Sequence, residues 1–239
     1  QSVSKPIVLM LAMMDRGEER VFNFVGKEPT GDPFNSMVRL ETYTLKKPLN
    51  PMINAGAISI ASLISGKDNE EKINRILDFV RMLSHNDAIH VNEVVFESER
   101  ATGNRNRSLA YFLKSIDCLE GDVGEVLDLY FMQCSIEITA LDLARIGRVI
   151  ANDGWDSVSQ EQVVPKKFAR ISKTFMLTCG MYDESGQFAI DVGIPSKSGV
   201  GGGIMSSVPG KCGIGVFGPA LDGKGNSVSG MKILEFVSK

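Results

Sequence analysis

The pattern of the sequence changes at about Thr178, and this change restricts the folds that the chain can adopt. Before this point apolar residues recur with helical spacing, for example at Ile73, Ile76, Leu77, Val80 and Leu83. After it, short segments rich in β-branched residues alternate with glycine and proline, as in antiparallel strands joined by tight turns. A helical block followed by a strand meander predicts an α/β fold in which helices flank an antiparallel sheet.

Three strands and a closing helix are predicted in the second block. The strands are expected at 188–194, 204–208 and 213–217, and the helix at 229–237. In the helical block, Thr139 and Asp142 have the spacing of a capping box, which predicts a helix that ends at 152–154. Because a sheet of only three strands is incomplete, we expect residues upstream of Gln1 to supply further strands.

The composition is that of an ordinary globular protein. The chain has 239 residues, of which 43% are hydrophobic and 23% are charged, and its net charge is -3. A chain with so little net charge and no long basic run gives no indication of nucleic-acid binding. The longest apolar stretch, Ile7 to Met14, is far shorter than the roughly 20 residues of a membrane-spanning helix. We therefore expect neither nucleic acid nor membrane as a partner.

Histidine and cysteine are scarce and scattered. The sequence contains only His85 and His90, and its four cysteines form no C-x-x-C pair. This distribution argues against a zinc site and against a Ser-His-Asp triad. We expect no metal, no cofactor, and reduced thiols in a cytoplasmic protein.

Ser2 and Lys5 form an S-x-x-K motif at the head of the apolar stretch. Residues three apart lie on one face of a helix, and the N–H groups at a helix N-terminus would favour a developing oxyanion. A lysine acts as a base only when it is neutral, and a pKa near 10.4 leaves about one lysine in 2,500 neutral at pH 7. The motif therefore predicts a buried lysine whose pKa is lowered.

A second motif, Lys197-Ser198-Gly199, opens the glycine-rich run 199–203 at the head of a predicted strand. It resembles the K-[ST]-G signature of penicillin-binding proteins and β-lactamases, in which an edge strand donates a backbone N–H to the oxyanion. The middle motif of that superfamily, S-x-N, is matched only by Ser84-His85-Asn86, which is better interpreted as a helix end. Ser229 and Lys232 repeat the S-x-x-K spacing, but nothing around them suggests catalysis.

Seven stretches together resemble the serine-dependent glutaminase family, in the family's order and from Gln1 to about Val237. They are QSVSKP, VGKEPTGDPFNS, NPMINAGA, SERATGNRN, LDLYFMQCSIE, LTCGMYDESGQFA and PSKSGVGGGI. The resemblance implies a β-lactamase/transpeptidase-like fold, hydrolysis of the side-chain amide of L-glutamine, and a homodimer or homotetramer. Within one catalytic domain, we expect a helical subdomain at about 50–175 and a sheet lobe at about 1–49 and 176–239.

Carried over by position, the resemblance implies roles for individual residues. It makes Ser2 the nucleophile and Lys5 its base, with Tyr182 sharing the proton transfer. It assigns the oxyanion hole to the backbone N–H groups of Ser2 and Val200. The implied substrate-binding residues are Asn35, Glu99, Asn106, Tyr130, Tyr182 and Val200. Members of the family also have a substrate-binding tyrosine upstream of the nucleophile, at a position that precedes this sequence.

Two alternatives stay open on the sequence alone. A penicillin-recognising acyltransferase or β-lactamase would share the serine and lysine motifs, although Glu99 suits the ammonium group of an amino acid better. A glutamine-binding homologue without turnover would keep the same pocket.

Overall fold

The computed structural model describes residues 1–30 and 47–239. Two 3-10 helices, Ser2–Ser4 and Tyr182–Glu184, precede α1 and α10. The α-helices in these ranges are α1 (Lys5–Arg16), α2 (Glu18–Phe24), α3 (Asn54–Ala61), α4 (Asn69–Ser84), α5 (Glu93–Thr102), α6 (Asn104–Ser115), α7 (Val123–Cys134), α8 (Ala140–Ala151), α9 (Lys166–Cys179), α10 (Ser185–Asp191) and α11 (Val228–Val237). The strands are β1 (His90–Val91), β2 (Ile136–Glu137), β3 (Trp155–Asp156), β4 (Glu161–Gln162), β5 (Ser196–Ser198), β6 (Gly203–Val208) and β7 (Cys212–Phe217).

Within the described part of the chain, the main sheet has three antiparallel strands in the order β5-β6-β7. Its register places Lys197 opposite Met205 and Ser206 opposite Ile214. Helix α8 packs closely against β6 and β7, where a Cβ on Gly215 would lie only 1.9 Å from the Ala140 carbonyl oxygen. The strands predicted at 204–208 and 213–217 and the helix predicted at 229–237 are confirmed, as is the antiparallel sheet flanked by helices. The pairs β1-β2 and β3-β4 are short antiparallel ribbons outside this sheet.

The strand predicted at 188–194 is wrong, because this segment forms most of helix α10. Its apolar residues alternate in sequence, which suggested a strand, but Ile190 is 81% exposed and does not belong to the buried set. Phe188 and Val192 are both buried and are four residues apart, which is the spacing of one helical face. The first strand of the sheet is instead β5, which contains the lysine and serine of the K-S-G motif.

Helix α1 lies at the centre of the molecule. Every residue from Lys5 to Met13 is buried, and the helix contacts α2, α3, α4 and α9. A helix that is buried on all its faces needs neighbours all round, which explains the continuous apolar stretch in the sequence. The predicted capping box is confirmed at the start of α8, where the Thr139 and Asp142 side chains cap each other's backbone.

A second apolar cluster joins α3, α6 and α7. These helices and the neighbouring α5 carry residues of three of the quoted stretches, NPMINAGA, SERATGNRN and LDLYFMQCSIE, into one region beside the start of α1. The division into a sheet lobe and a helical subdomain stays a prediction. Within residues 1–30 and 47–239, no helix has both the length and the apolar character needed to cross a membrane.

Candidate active site

Ser2 and Lys5 lie where the 3-10 helix passes into α1. Both are buried, with 7% of Ser2 and 1% of Lys5 exposed. The Lys5 ammonium donates to the Met52 carbonyl oxygen at 3.0 Å and to Asn54 Oδ1 at 2.8 Å. The lysine of the S-x-x-K motif is therefore held by the residues that lead into α3.

Burial lowers the pKa of Lys5 to about 8, and the nearby Cys134 thiolate would oppose that change. The ordinary pKa of a lysine is near 10.4, so the enclosure disfavours the charged form. With a pKa of about 8, about one lysine in ten is neutral at pH 7. Lys5 can therefore accept a proton under ordinary conditions, as the motif predicted.

Tyr182 occupies a strained position beside the serine. Its φ of 55° lies in the left-handed region, which is uncommon for a bulky side chain. Ser185 supports this turn, because its Oγ accepts from the Met181 N–H and donates to the Tyr182 carbonyl oxygen. Burial raises the pKa of Tyr182, and interactions with the Ser2 hydroxyl and the Val200 backbone oppose the rise. Strain of this kind is typical of functional positions.

The glycine-rich loop after β5 lies against the 3-10 helix of Ser2. A Cβ on Gly199 would come within 2.9 Å of Val3 Cγ2, so a side chain at this position would push the two segments apart. The loop is closed by the Gly199 N–H, which donates to the Gly203 carbonyl oxygen at 3.0 Å. This close approach places the backbone of Val200 at the edge of the sheet that faces Ser2, where it interacts with Tyr182.

Lys197 is fully buried at the same edge. Its Nζ donates to the carbonyl oxygens of Gly180 at 3.0 Å and Ser198 at 2.6 Å, and it lies 4.5 Å from the centre of the Tyr182 ring. Burial lowers the pKa of Lys197, and repulsion from Lys5 lowers it further. Lys197 therefore ties the strand β5 to the turn that carries Tyr182.

The predicted substrate-binding residues on the helices face the same region. Gln1 Nε2 donates to Glu99 Oε1 at 3.0 Å, and Asn54 Nδ2 donates to Asn106 Oδ1 at 3.0 Å. Tyr130 is buried, which raises its pKa, and the thiol of Cys134 and the charges of Glu99 and Tyr182 act in the same direction.

The structure thus brings together seven of the eight predicted site residues: Ser2, Lys5, Glu99, Asn106, Tyr130, Tyr182 and Val200. Asn35 lies outside the described residues.

The two weaker motifs lie elsewhere. His85 ends α4 in a left-handed conformation, and Asn86 donates to Asp142 at 3.1 Å rather than to a lysine of the site. The interpretation of Ser84-His85-Asn86 as a helix end is confirmed. Lys232 is exposed on α11, so it lacks the enclosure that lowers the pKa of Lys5.

Sequence reasoning missed three residues of this region. Gln1, Asn54 and Lys197 all lie in the quoted motifs, but none was assigned a role. The signal for Asn54 was its place in NPMINAGA, a stretch more polar than packing alone requires.

Comparison with known proteins agrees with this geometry. The sequence profile of the glutaminase family matches residues 1–239. A glutaminase from Bacillus cytotoxicus is 58% identical over 238 residues, which are 100% of this chain and 77% of the relative. A crystal structure of a probable glutaminase from Bacillus subtilis is 46% identical, with a TM-score of 0.96 over 100% of this chain and 79% of that chain.

A further crystal structure contains the Bacillus subtilis glutaminase YbgJ in a covalent complex with 5-oxo-L-norleucine. It is 42% identical, with a TM-score of 0.89, and the match covers 100% of this chain and 78% of that chain. Because the family profile spans the whole sequence and the relatives are this similar, the chain belongs to the glutaminase family, whose β-lactamase-like fold it shares.

Proposed function

We propose that the protein hydrolyses the side-chain amide of L-glutamine to L-glutamate and ammonia through a glutamyl ester on Ser2. The observation that carries this proposal is the enclosed lysine next to the serine. Lys5 is 1% exposed and has a pKa lowered to about 8, three residues after a buried hydroxyl. An activated serine of this kind suits acyl transfer from an amide.

In the first half of the reaction, the Ser2 hydroxyl attacks the side-chain carbonyl carbon of glutamine. Neutral Lys5 accepts the hydroxyl proton, directly or through Tyr182, whose hydroxyl interacts with Ser2. The backbone N–H groups of Ser2 and Val200 stabilise the negative charge on the carbonyl oxygen. The proton is then delivered to the departing nitrogen, ammonia leaves, and the acyl group stays on Ser2 as an ester.

In the second half, water replaces ammonia. The same base removes a proton from the water, which attacks the ester carbonyl within the same oxyanion hole. The ester bond to Ser2 breaks, Ser2 regains its proton, and L-glutamate is released. No metal or cofactor takes part in this scheme.

The α-ammonium and α-carboxylate groups of the substrate are recognised through charge and hydrogen bonds. Glu99 pairs with the ammonium group, while Asn35, Asn106 and Tyr130 bind the carboxylate and neighbouring polar atoms. Such contacts discriminate sharply, because an analogue that lacks the group leaves buried partners unpaired. The hydrogen bond between Gln1 Nε2 and Glu99 Oε1 supports this assignment, because it holds the carboxylate beside the residue that precedes the nucleophile.

Ammonia release tests the proposal. Purified protein should release ammonia from L-glutamine and much less from L-asparagine, whose amide is one methylene closer to the charged groups. The Ser2→Ala variant should release none. Hydrolysis of nitrocefin instead of glutamine would identify a penicillin-recognising enzyme. Tight binding of glutamine without ammonia release would identify a binding protein.

The proposal also includes a cytoplasmic location and a homo-oligomeric state for the protein. The four cysteines, all of which lie in the described part of the chain, form no disulfide bond there, which supports the proposal of a reducing, cytoplasmic environment. The homodimer or homotetramer stays a prediction from the resemblance, and analytical ultracentrifugation would measure it.

A further inference from the structure

The loop 218–227 joins strand β7 to helix α11 and lies against two residues that the mechanism uses. A Cβ on Gly225 would lie 3.2 Å from Val200 Cγ1 and 3.6 Å from Tyr182 Cε2. The N–H of the first residue of the loop donates to the Gly202 carbonyl oxygen at 3.0 Å, so the loop is also tied to the glycine-rich run. The loop therefore covers the part of the site that is formed by the tyrosine and the oxyanion-hole valine.

Asn226 connects this loop to the turn that carries Tyr182. Its side chain is fully buried. Its Nδ2 donates to Glu184 Oε2 at 2.9 Å and lies 3.5 Å from the Met181 carbonyl oxygen. Both of these atoms are acceptors, so the amide presents its nitrogen to the turn. Asn226 thus contacts the residue before Tyr182 and the last residue of the 3-10 helix Tyr182–Glu184.

The conformation of Tyr182 requires such support. A bulky residue at a φ of 55° is strained, and strain of this kind persists only where the surrounding structure fixes it. The hydrogen bonds of Ser185 lie within the turn, so they would move with it as a unit. The bonds from Asn226 come from 42 and 45 residues away in the sequence. They therefore fix the turn relative to the rest of the molecule.

The backbone of Asn226 is itself held in place. Asp222 Oδ1 accepts from the N–H groups of Lys224 at 2.8 Å and Asn226 at 3.0 Å. The Asp222 N–H donates back to the Asn226 carbonyl oxygen at 2.9 Å, which closes the tip of the loop. The side-chain amide of Asn226 is therefore presented to the turn from a rigid segment.

We propose that Asn226 is a positioning residue that holds the 3-10 helix of Tyr182 so that the phenol faces Ser2. This inference rests on the proposed function, since it assumes that Tyr182 shares the proton transfer. Asn226 acts through Tyr182 and not on the substrate. Loss of its amide should release the turn and slow the steps in which the phenol takes part.

The same loop has a second, exposed contact with the turn, and this contact provides a matched control. Lys224 Nζ lies 2.6 Å from Asp183 Oδ2, with 45% of the lysine and 20% of the aspartate side chain exposed. Exposed ion pairs contribute little, because water and salt screen them. Lys224→Met should therefore keep kcat within about twofold of the wild-type value.

Asn226→Asp removes the donor with almost no change of shape. It places a carboxylate beside the Glu184 carboxylate, so an attraction becomes a repulsion. Because a catalytic group displaced by about 1 Å can cost about 100-fold in rate, we expect kcat to fall about 10- to 100-fold. The loss should not exceed that of Tyr182→Phe, since Asn226 acts through the phenol.

A second substitution should restore the hydrogen bond in the opposite direction. In the double variant Asn226→Asp/Glu184→Gln, the glutamine amide can donate to the new carboxylate, and the repulsion between two carboxylates is removed. The double variant should therefore recover most of the lost kcat. A rate as low as that of Asn226→Asp alone would show that this hydrogen bond does not position the turn.

A double-mutant cycle with Tyr182→Phe separates positioning of the phenol from general support of the fold. In the Tyr182→Phe background there is no phenol to position, so Asn226→Asp should cost less than about twofold in kcat. A residue that only supports the fold would slow both backgrounds by the same factor. Ammonia release should be measured where urea unfolding shows that every variant is folded.

Fluorine NMR reports on the turn without turnover. The chain has four tyrosines, and incorporation of 3-fluorotyrosine gives a signal for each of them. The signal of Tyr182 is assigned by its loss in Tyr182→Phe. It should move in Asn226→Asp, return towards its wild-type position in Asn226→Asp/Glu184→Gln, and stay in place in Lys224→Met.

Equal losses of kcat in both backgrounds, or an unmoved Tyr182 signal in Asn226→Asp, would overturn the proposal. Absence of ammonia release by the wild type would refute the proposed function, and the fluorine spectra would then decide whether Asn226 holds the turn. Should Asn226→Asp fail to fold, Asn226→Ala removes the same donor without adding charge and replaces it in the cycle and in the spectra.

Discussion

Lys197 Nζ, in the K-S-G motif, lies 4.5 Å from the centre of the Tyr182 ring. The backbone of Tyr182 is held in the left-handed region. The same Nζ donates to the carbonyl oxygens of Gly180 and Ser198. Through these contacts Lys197 joins the turn that carries Tyr182 to the strand β5, beside Ser2.

Replacing Lys197 by methionine should weaken both the fold and the site. The Gly180 carbonyl oxygen would keep the Ser198 N–H as a donor, but the buried Ser198 carbonyl oxygen would lose the Lys197 donor, which costs about 1–3 kcal/mol of the free energy of unfolding. Release of the Tyr182 turn should also lower kcat/KM at least tenfold. Urea unfolding and ammonia release measure the two effects. Lys166→Met, on the exposed start of α9, is the matched control, and an unfolding free energy equal to it would contradict the assigned role.

The pH dependence of kcat/KM should follow Lys5. Its pKa of about 8 means that the neutral base grows from about one molecule in ten at pH 7 to about nine in ten at pH 9. The rate should therefore rise about tenfold over this range and level off above it.

Lys5→Ala should remove nearly all acylation, whereas Tyr182→Phe should slow it and shift the profile, because the two groups can share one titration. A normal alkaline rise in Lys5→Ala would rule out lysine as the base.

Glu99→Gln should damage the use of glutamine severely. Removing one partner of a desolvated charge pair costs about 2–4 kcal/mol, which is roughly a 30- to 900-fold loss in kcat/KM. The matched control is Glu97→Gln on the same helix, whose side chain is 65% exposed, and it should keep wild-type kinetics. Equal kcat/KM values for the two variants would exclude Glu99 from recognition of the ammonium group.

Asp156 should govern stability at acid pH, away from the active site. Burial alone would raise its pKa, but hydrogen bonds from the Val158 and Ser159 N–H groups and from His85 lower it to about 2. A lowered pKa favours the folded state above the unfolded value of about 3.9, and this contribution disappears as the pH falls through about 4 to 2.

Asp156→Asn should therefore lose about 1–3 kcal/mol of unfolding free energy at pH 7 and show a flatter decline between pH 4 and pH 2. Urea unfolding at several pH values measures both effects. Asp78→Asn, at a side chain that is 74% exposed, serves as the control. A decline of Asp156→Asn as steep as that of the wild type would show that another group controls the acid transition.

Local features of this fold were predictable because they depend on neighbouring residues. The Thr139–Asp142 capping box, the helix end at His85 and the strands β6 and β7 each follow from a short pattern of spacing, glycine and apolar alternation. The segment 188–194 was misassigned because its alternation fits a strand as well as it fits a short helix. Only the exposure of Ile190 in the folded chain separates the two.

The motifs of the site were predictable from the sequence, but the contacts between residues far apart in the sequence were not. Ser2 and Lys5 are neighbours in sequence, so their relationship follows from helical spacing. The contact between Lys5 and Asn54 spans 49 residues and depends on how α3 packs beside α1. No periodicity encodes such a contact. The formal match to the S-x-N motif is Ser84-His85-Asn86, but the asparagine that contacts Lys5 is Asn54.

The central claim is that Ser2 is the acylated residue, and covalent labelling tests it most directly. The protein should be treated with 6-diazo-5-oxo-L-norleucine, the compound that forms the covalent complex with the Bacillus subtilis glutaminase YbgJ, and then digested for mass spectrometry. The account predicts one adduct of 5-oxo-L-norleucine on the peptide that contains Ser2, absent from Ser2→Ala and suppressed by excess glutamine. An adduct on the peptide that contains Ser229, or equal labelling of Ser2→Ala, would contradict it.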